Sequence, residues 1–342
     1  MAGQIKRLLF GTIATLAAGL TPAAVSAQTA DLEAAFDRAL GTEVRAPQSY
    51  DAIYDSSFER RIAQLAAGDQ GRIGVAAIDL ATGEQVMVLG DQLFPMASTS
   101  KIAVAATFLE MVEQGKYSLT SEFPLLIPVR SAKFSSERAP TRSGNYMQAI
   151  DLIEIMITRS SNSATDALLA AVGGPGKVNA WMRRQGIKEF SIDRDIATLV
   201  RDDGEYDPAY YIDERDAATP RAMVELLQGL HQGRFLSAES RRVILGAMSR
   251  TTTGRRRIPA GTPAEALVRH KTGSLNNTSS DVGIIEAPDG RAIAVAIYVT
   301  GQGSKLAREQ RIAEIAGALY EGFKVRARTR GTNWTSAKQS GG

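Results

Sequence analysis

Apolar residues recur at helical spacing in some stretches of the chain and cluster into short β-branched runs in others, and the two kinds are segregated. A period of three to four predicts helices over residues 31–40, 56–67, 98–112, 147–158, 163–172, 178–185, 220–230, 237–248 and 306–323. Gly115 stops the third of these, Gly173-Gly174-Pro175 stops the fifth, and Pro220 opens the seventh. Short Val-, Ile- and Ala-rich runs predict strands over 72–80, 85–89, 266–271, 280–286 and 292–300. Residues 81–84 and Pro288-Asp289-Gly290 are the turns that fold two of these strands back. Residues 129–146, with Pro, Ser and basic side chains, are expected to be an exposed connection. Residues 186–216 have little periodicity and many acids, and a loop of that length inside a folded domain is usually functional.

Strands at both ends around a helical middle predict an α/β (α+β) fold. One sheet domain, about 56–95 and 249–323, is interrupted by an all-helical domain, about 96–248, with the site where the two meet. At 342 residues there is material for a large core.

The two ends read differently. Residues 1–27 carry Lys6 and Arg7, an apolar run from Leu8 to Leu20, and Val25 and Ala27 before a cleavage point, the pattern of an export signal. Gly11 and Gly19 interrupt a run already short for a membrane span, so the mature chain is expected to lack a transmembrane anchor and to be periplasmic or secreted. Residues 28–55 form an N-terminal extension and 324–342 a flexible basic tail. Removing Lys6 and Arg7 with no acid lowers the formal charge from +3 to +1, so charge gives no reason to expect a nucleic-acid partner. The absence of cysteine excludes disulfides and thiol catalysis, and with His231 and His270 the only histidines no metal or organic cofactor is implied. No oligomer is implied either.

Three short motifs carry chemistry. Ser98 and Lys101, three apart at a helix start, share a helical face, so a lysine amine stands beside a hydroxyl and unpaired backbone N–H groups. Ser160-Ser161-Asn162 lies in a short connection between helices, and Lys271-Thr272-Gly273 follows a strand-like run. Singly, each has an ordinary explanation: serine and asparagine cap helices, and lysine sits on many surfaces. Their order and setting carry the inference.

Together they resemble the three motifs of class A β-lactamases and penicillin-binding proteins, and the likeness runs from about residue 71 to 323. Phe94-Pro95-Met96, Gly173-Gly174-Pro175, Asp213-Glu214-Arg215-Asp216, Thr219-Pro220 and Thr252-Thr253-Gly254 are similar to class A landmarks. The resemblance implies an antiparallel sheet flanked by helices, and a site in which Ser98 is acylated, Lys101 helps deprotonate it, and Ser160 passes a proton to the leaving nitrogen. It further implies that Asn162 binds the substrate amide and that the backbone N–H groups of Ser98 and Ser274 form the oxyanion hole. Lys271, Thr272 and Gly273 line the substrate edge, with Arg257 joining Lys271 and Thr272 on the substrate carboxylate. Arg194 and Asp216 resemble the ion pair that ties the family's active-site loop. The implied partner is a small molecule, either a β-lactam or a D-alanyl-D-alanine-type peptide; a non-catalytic periplasmic binding protein is the third reading.

Two departures stand out. Ser161 occupies the place of an aspartate, and Ile196 that of the glutamate that activates the deacylating water. Counting backward from Asp216 makes Asp203 the candidate substitute base. Acylation is expected to survive these changes, and deacylation to slow.

Overall fold

The computed structural model describes residues 56–329; the expected signal, the extension, its helix at 31–40 and the end of the tail lie outside the described residues. Helix α1 (Ser57–Ala66) opens the described chain, capped by Ser56, whose hydroxyl accepts from Glu59 N while Glu59 accepts in return from Ser56 N. Strands β1 (Ile73–Asp79) and β2 (Gln85–Val88) form the first hairpin. A two-residue strand β3 (Phe94–Pro95) and a 3-10 turn (Ala97–Ser100) lead into α2 (Lys101–Glu113).

The helical part follows. Strands β4 (Glu122–Pro128) and β5 (Thr141–Gln148) pair as a hairpin, then come α3 (Ala149–Thr158), α4 (Asn162–Val172), α5 (Pro175–Arg184) and α6 (Ile196–Arg201). Strand β6 (Ala217–Ala218), α7 (Pro220–Gln232) and α8 (Ala238–Ser249) return the chain toward the sheet. A four-residue α9 (Ile258–Gly261), strands β7 (Leu267–Leu275), β8 (Thr278–Glu286) and β9 (Ala292–Thr300), and α10 (Lys305–Thr329) complete the described chain.

The sheet is antiparallel in the order β2-β1-β9-β8-β7, and its central strands are buried on both faces. Every residue of β9 is buried, and alternation divides its side chains between two cores. Ile293, Val295, Ile297 and Val299 pack with Ile62, Ile312, Ile315 and Leu319 from α1 and α10. Ala294, Ala296 and Tyr298 join the larger core of the helical part, with Phe94, Phe108, Leu152, Leu168, Trp181 and Leu227. The small residues on that second face leave room for the helices that carry the site. Each fully buried Val or Ile contributes roughly 1.5–3 kcal/mol, so the strand is an adequate base for polar groups built over it.

Three expectations are corrected here. The helix placed at residue 98 begins as an α-helix at Lys101, which leaves Ser98 inside the preceding 3-10 turn, where Ala97 has φ of +49°. Residues 141–146, expected in an open connection, belong to β5, whose polar sequence is held in register by β4. Helix α10 continues past residue 323; Lys324 pairs with Glu321, and Arg326 clasps Glu59, Glu84 and Ser56, so these basic residues have acidic partners.

Candidate active site

The turn that carries Ser98 is fixed from three directions. Met96 N donates to Asp216 O at 3.0 Å, Thr99 Oγ donates to Met96 O at 2.8 Å, and Ser100 Oγ donates to Ala97 O at 2.8 Å. Gly273 explains how closely β7 approaches: a Cβ there would stand 2.6 Å from Met96 O and 3.1 Å from Ala97 Cβ. Only a residue without a side chain lets the strand lie against the turn, bringing the Gly273–Ser274 backbone beside Ser98. Ser98 itself is half-buried and, among the described residues, its hydroxyl has no hydrogen-bond partner.

Lys101, fully buried on the first turn of α2, points its ammonium at the second motif. It donates to Ser160 O at 2.8 Å, Asn162 Oδ1 at 2.7 Å and Ser160 Oγ at 3.2 Å. Lys271, also fully buried, donates to the same Ser160 Oγ at 3.0 Å and to Thr272 O at 2.9 Å. The Ser160 hydroxyl therefore lies between two amines that come from residues far apart in the chain. Ser160 adopts φ of +58°, a costly conformation for a residue with a side chain. Ser161 next to it caps α4 by accepting from Ala164 N at 3.3 Å, which anchors that backbone.

Two cations packed together out of water cannot both hold their protons easily. Burial, then the proximity of Lys271, lowers the Lys101 pKa well below the usual lysine range, against an opposing pull from Asp166. Burial pushes Lys271 down to about 7, with Asp281 raising it and Arg257 lowering it. The lowered Lys101 pKa makes its neutral, proton-accepting form easier to reach, as a lysine base requires.

The outer edge is polar. Thr272 and Thr253 share a hydroxyl–hydroxyl bond of 2.7 Å, and Ser274 is exposed at the end of β7. Arg257 packs against the same strand. It is buried, and its guanidinium donates to Gly273 O at 2.8 Å, Ser280 O at 2.7 Å and Ser274 Oγ at 2.7 Å while pairing with Glu309 at 3.0 Å. Those partners tie it to β7 and to the Ser274 hydroxyl.

The long acidic loop is tied down at both ends. Arg194 Nε donates to Asp216 Oδ2 at 2.6 Å, Asp216 Oδ1 accepts from the N–H groups of Asp193 and Arg194, and Asn179 exchanges two hydrogen bonds with Ile192. Within the loop Asp195 caps α6, a helix that periodicity did not reveal, by accepting from Thr198 N at 2.8 Å. The segment before β5 closes over that helix: Arg138 pairs with Asp195 at 2.6 Å, and Ala139 N donates to Thr198 Oγ at 2.8 Å. Ile196, buried at the head of α6, brings no acid. Both Asp203 oxygens accept from Asn276 N, at 2.9 and 3.0 Å, on the β7–β8 turn. Asp203 is therefore not among the partners of the Lys101–Ser160–Lys271 cluster.

A family model described as the β-lactamase enzyme family matches residues 57–323. The chain belongs to the β-lactamase enzyme family. It is 31% identical over 270 residues to β-lactamase CTX-M-8 of Citrobacter amalonaticus, covering 78% of this chain and 89% of that protein. Against β-lactamase OXY-2 of Klebsiella oxytoca the identity is 31% over 277 residues, covering 80% and 91% respectively. A solved variant of the class A β-lactamase of the last common ancestor of Gram-negative bacteria superposes with a TM-score of 0.67 at 33% identity, covering 78% of this chain and 99% of that one. The mixed fold, with its antiparallel sheet flanked by helices, is that of the class A β-lactamases.

Within this β-lactamase-type site one residue escaped the sequence reading. Asp166, on α4, is buried and accepts from Ile196 N at 2.7 Å and Ala197 N at 2.9 Å. Its spacing of four from Asn162, on one helical face, was the available signal.

Proposed function

We propose that this chain is a serine hydrolase that opens the β-lactam amide through an acyl-Ser98 intermediate and releases the product slowly. The observation that carries the reading is the Ser160 hydroxyl held between the Lys101 and Lys271 amines. Lys101, neutral, takes the Ser98 proton as Oγ bonds to the carbonyl carbon. The carbon–nitrogen bond breaks as Ser160 gives its proton to the nitrogen, and Lys101 returns the proton to Ser160. The N–H groups of Ser98 and Ser274 receive the oxyanion, Asn162 and Thr272 hold the substrate, and Lys271 attracts its carboxylate. Export follows from residues 1–27, and among the described residues no helix is long and apolar enough to cross a membrane.

Slow release is supported by Ile196 at the head of α6 and by the engagement of Asp203 with Asn276. Loss of general-base help costs roughly a hundredfold to ten-thousandfold in the step concerned. The same observation favours, as second reading, a penicillin-binding-protein-like D-alanyl-D-alanine peptidase, for which β-lactams are trapping agents. Hydrolysis of a chromogenic cephalosporin separates the two: repeated turnovers support the β-lactamase, whereas one stoichiometric burst supports the peptidase.

Two variations follow from the same chemistry. Ile196→Glu is expected to shorten the acyl-enzyme lifetime by about a hundredfold or more, because a carboxylate then stands where water must be activated. An unchanged lifetime removes the missing glutamate as the cause. In the wild type, kcat/KM for an anionic penicillin is expected to fall as pH rises above about 7, because Lys271 in the free enzyme loses its charge there. A profile that stays flat to about pH 9 removes Lys271 as the carboxylate's electrostatic partner.

A further inference from the structure

We infer that Asp166 is a positioning residue of the acylation step: its carboxylate holds the first turn of α6 against the site and supplies the negative charge that opposes Lys271 around the Lys101 ammonium. The inference rests on reading Ser98 as a nucleophile assisted by Lys101. Its basis is geometric. Asp166 lies one helical turn beyond Asn162 on α4, and Asn162 Oδ1 is itself 2.7 Å from Lys101 Nζ. Its two oxygens accept from the N–H groups of Ile196 and Ala197, the first two residues of α6. One buried carboxylate thus touches the loop and lies within electrostatic reach of the lysine.

The other acids of the region are committed elsewhere. Asp193 is held by Ser191 Oγ and Asp216 N, and Asp195 by Arg138 and its own helix. Asp202 pairs with Arg201, Asp203 takes the Asn276 N–H, Asp213 pairs with Arg215, Asp216 with Arg194, and Asp281 with His270. Lys101, in contrast, is pulled toward its charged form by Asp166, and Asp166 toward its charged form by Lys101.

The surroundings make this carboxylate a responsive one. The charged groups facing it are Lys101 from α2 and Asp195 from the head of α6, the latter paired with Arg138. Helices α3 and α5 meet α4 through apolar side chains such as Leu152, Ile153 and Val178. Burial, with Asp195 beside it, raises the Asp166 pKa to about 6 against the two N–H bonds and Lys101. As pH rises through that value Asp166 becomes charged and Lys101 holds its proton more tightly. Asp166 thus restrains the neutral, proton-accepting form of Lys101 at the upper end of the range and releases it at the lower end.

The test is the pH dependence of the acylation rate constant, measured with a fluorescent penicillin on wild type and Asp166→Asn. Asparagine keeps the size and one accepted N–H but removes the charge. The acid limb of the variant is expected to move down by about half a pH unit or more, with faster acylation at neutral pH. An acid limb that stays in place, whatever happens to Tm, overturns the inference and leaves Asp166 a structural tie. If the variant does not fold, the assigned Asp166 13Cγ resonance is titrated in wild type and in Lys101→Met. Loss of the cation is expected to raise its midpoint, and an unmoved midpoint overturns the inference. Failure of the penicillin to label wild-type Ser98 sinks the proposed function instead, and the resonance titration still decides whether Asp166 and Lys101 are coupled.

Discussion

Ser98→Ala is expected to abolish acylation, with β-lactam opening falling by at least about ten-thousandfold while the protein stays folded. The size of the effect follows from the site's composition. Among the described residues no other hydroxyl combines a place in the turn against β7 with a lysine one helical turn away; Ser160 Oγ is already shared by two amines, and Thr99 Oγ is bonded to Met96 O. The fold should tolerate the change because Ser98 Oγ holds no neighbour in place, whereas Thr99 and Ser100 brace the turn. A chromogenic cephalosporin assay together with near-UV circular dichroism checks both halves. Hydrolysis surviving in a folded Ser98→Ala protein removes Ser98 from the chemistry.

Lys101→Met is expected to slow acylation by about a hundredfold to ten-thousandfold, chiefly through loss of the base. Methionine fills most of the buried volume and removes a cation that burial and Lys271 already disfavour, so the folded state loses packing only slightly and gains relief from repulsion. Three hydrogen bonds are lost with the amine; Ser160 Oγ keeps its bond from Lys271, while Ser160 O and Asn162 Oδ1 lose the Lys101 donor. The variant should therefore bind a penicillin noncovalently yet acylate slowly, visible as a fall in the maximal acylation rate at saturation with little change in the half-saturating concentration. An unaltered maximal rate would assign the base to another group.

How much of this was legible in the sequence depends on whether a residue's partners lie nearby in the chain. Strand β9 falls where its run of Ala, Ile and Val placed it, because a strand buried on both faces declares itself by composition. The helical middle was legible through Gly173, Gly174 and Pro220, which punctuate α4, α5 and α7. Strand β5 was not: Thr141–Gln148 is polar, and only pairing with β4 makes it a strand. Helix α6 was hidden for a related reason. Six residues are too few to establish a period, and what holds them is the Asp195 cap and the distant Asp166 carboxylate.

The same distinction runs through the site. The three motifs located the lysines and Ser160, because each motif is local. The setting of Arg257 was hidden because its partners Glu309 and Ser280 are remote, and a basic triplet carries no sign that one member turns inward while Arg255 and Arg256 stay exposed. Asp203 was reached by counting along the loop, yet that loop folds a helix into its middle and directs Asp203 to Asn276. Loop length alone does not place a side chain.

The arrangement of Lys101, Ser160 and Lys271 beside Ser98 is tested most directly by the mass of the intact protein, followed over time after mixing with a penicillin. The expected result is a single adduct carrying the whole mass of the penicillin, mapped to the peptide that contains Ser98, formed quickly and lost slowly. A protein of unchanged mass in the presence of intact penicillin, or an adduct on any other residue, would contradict it.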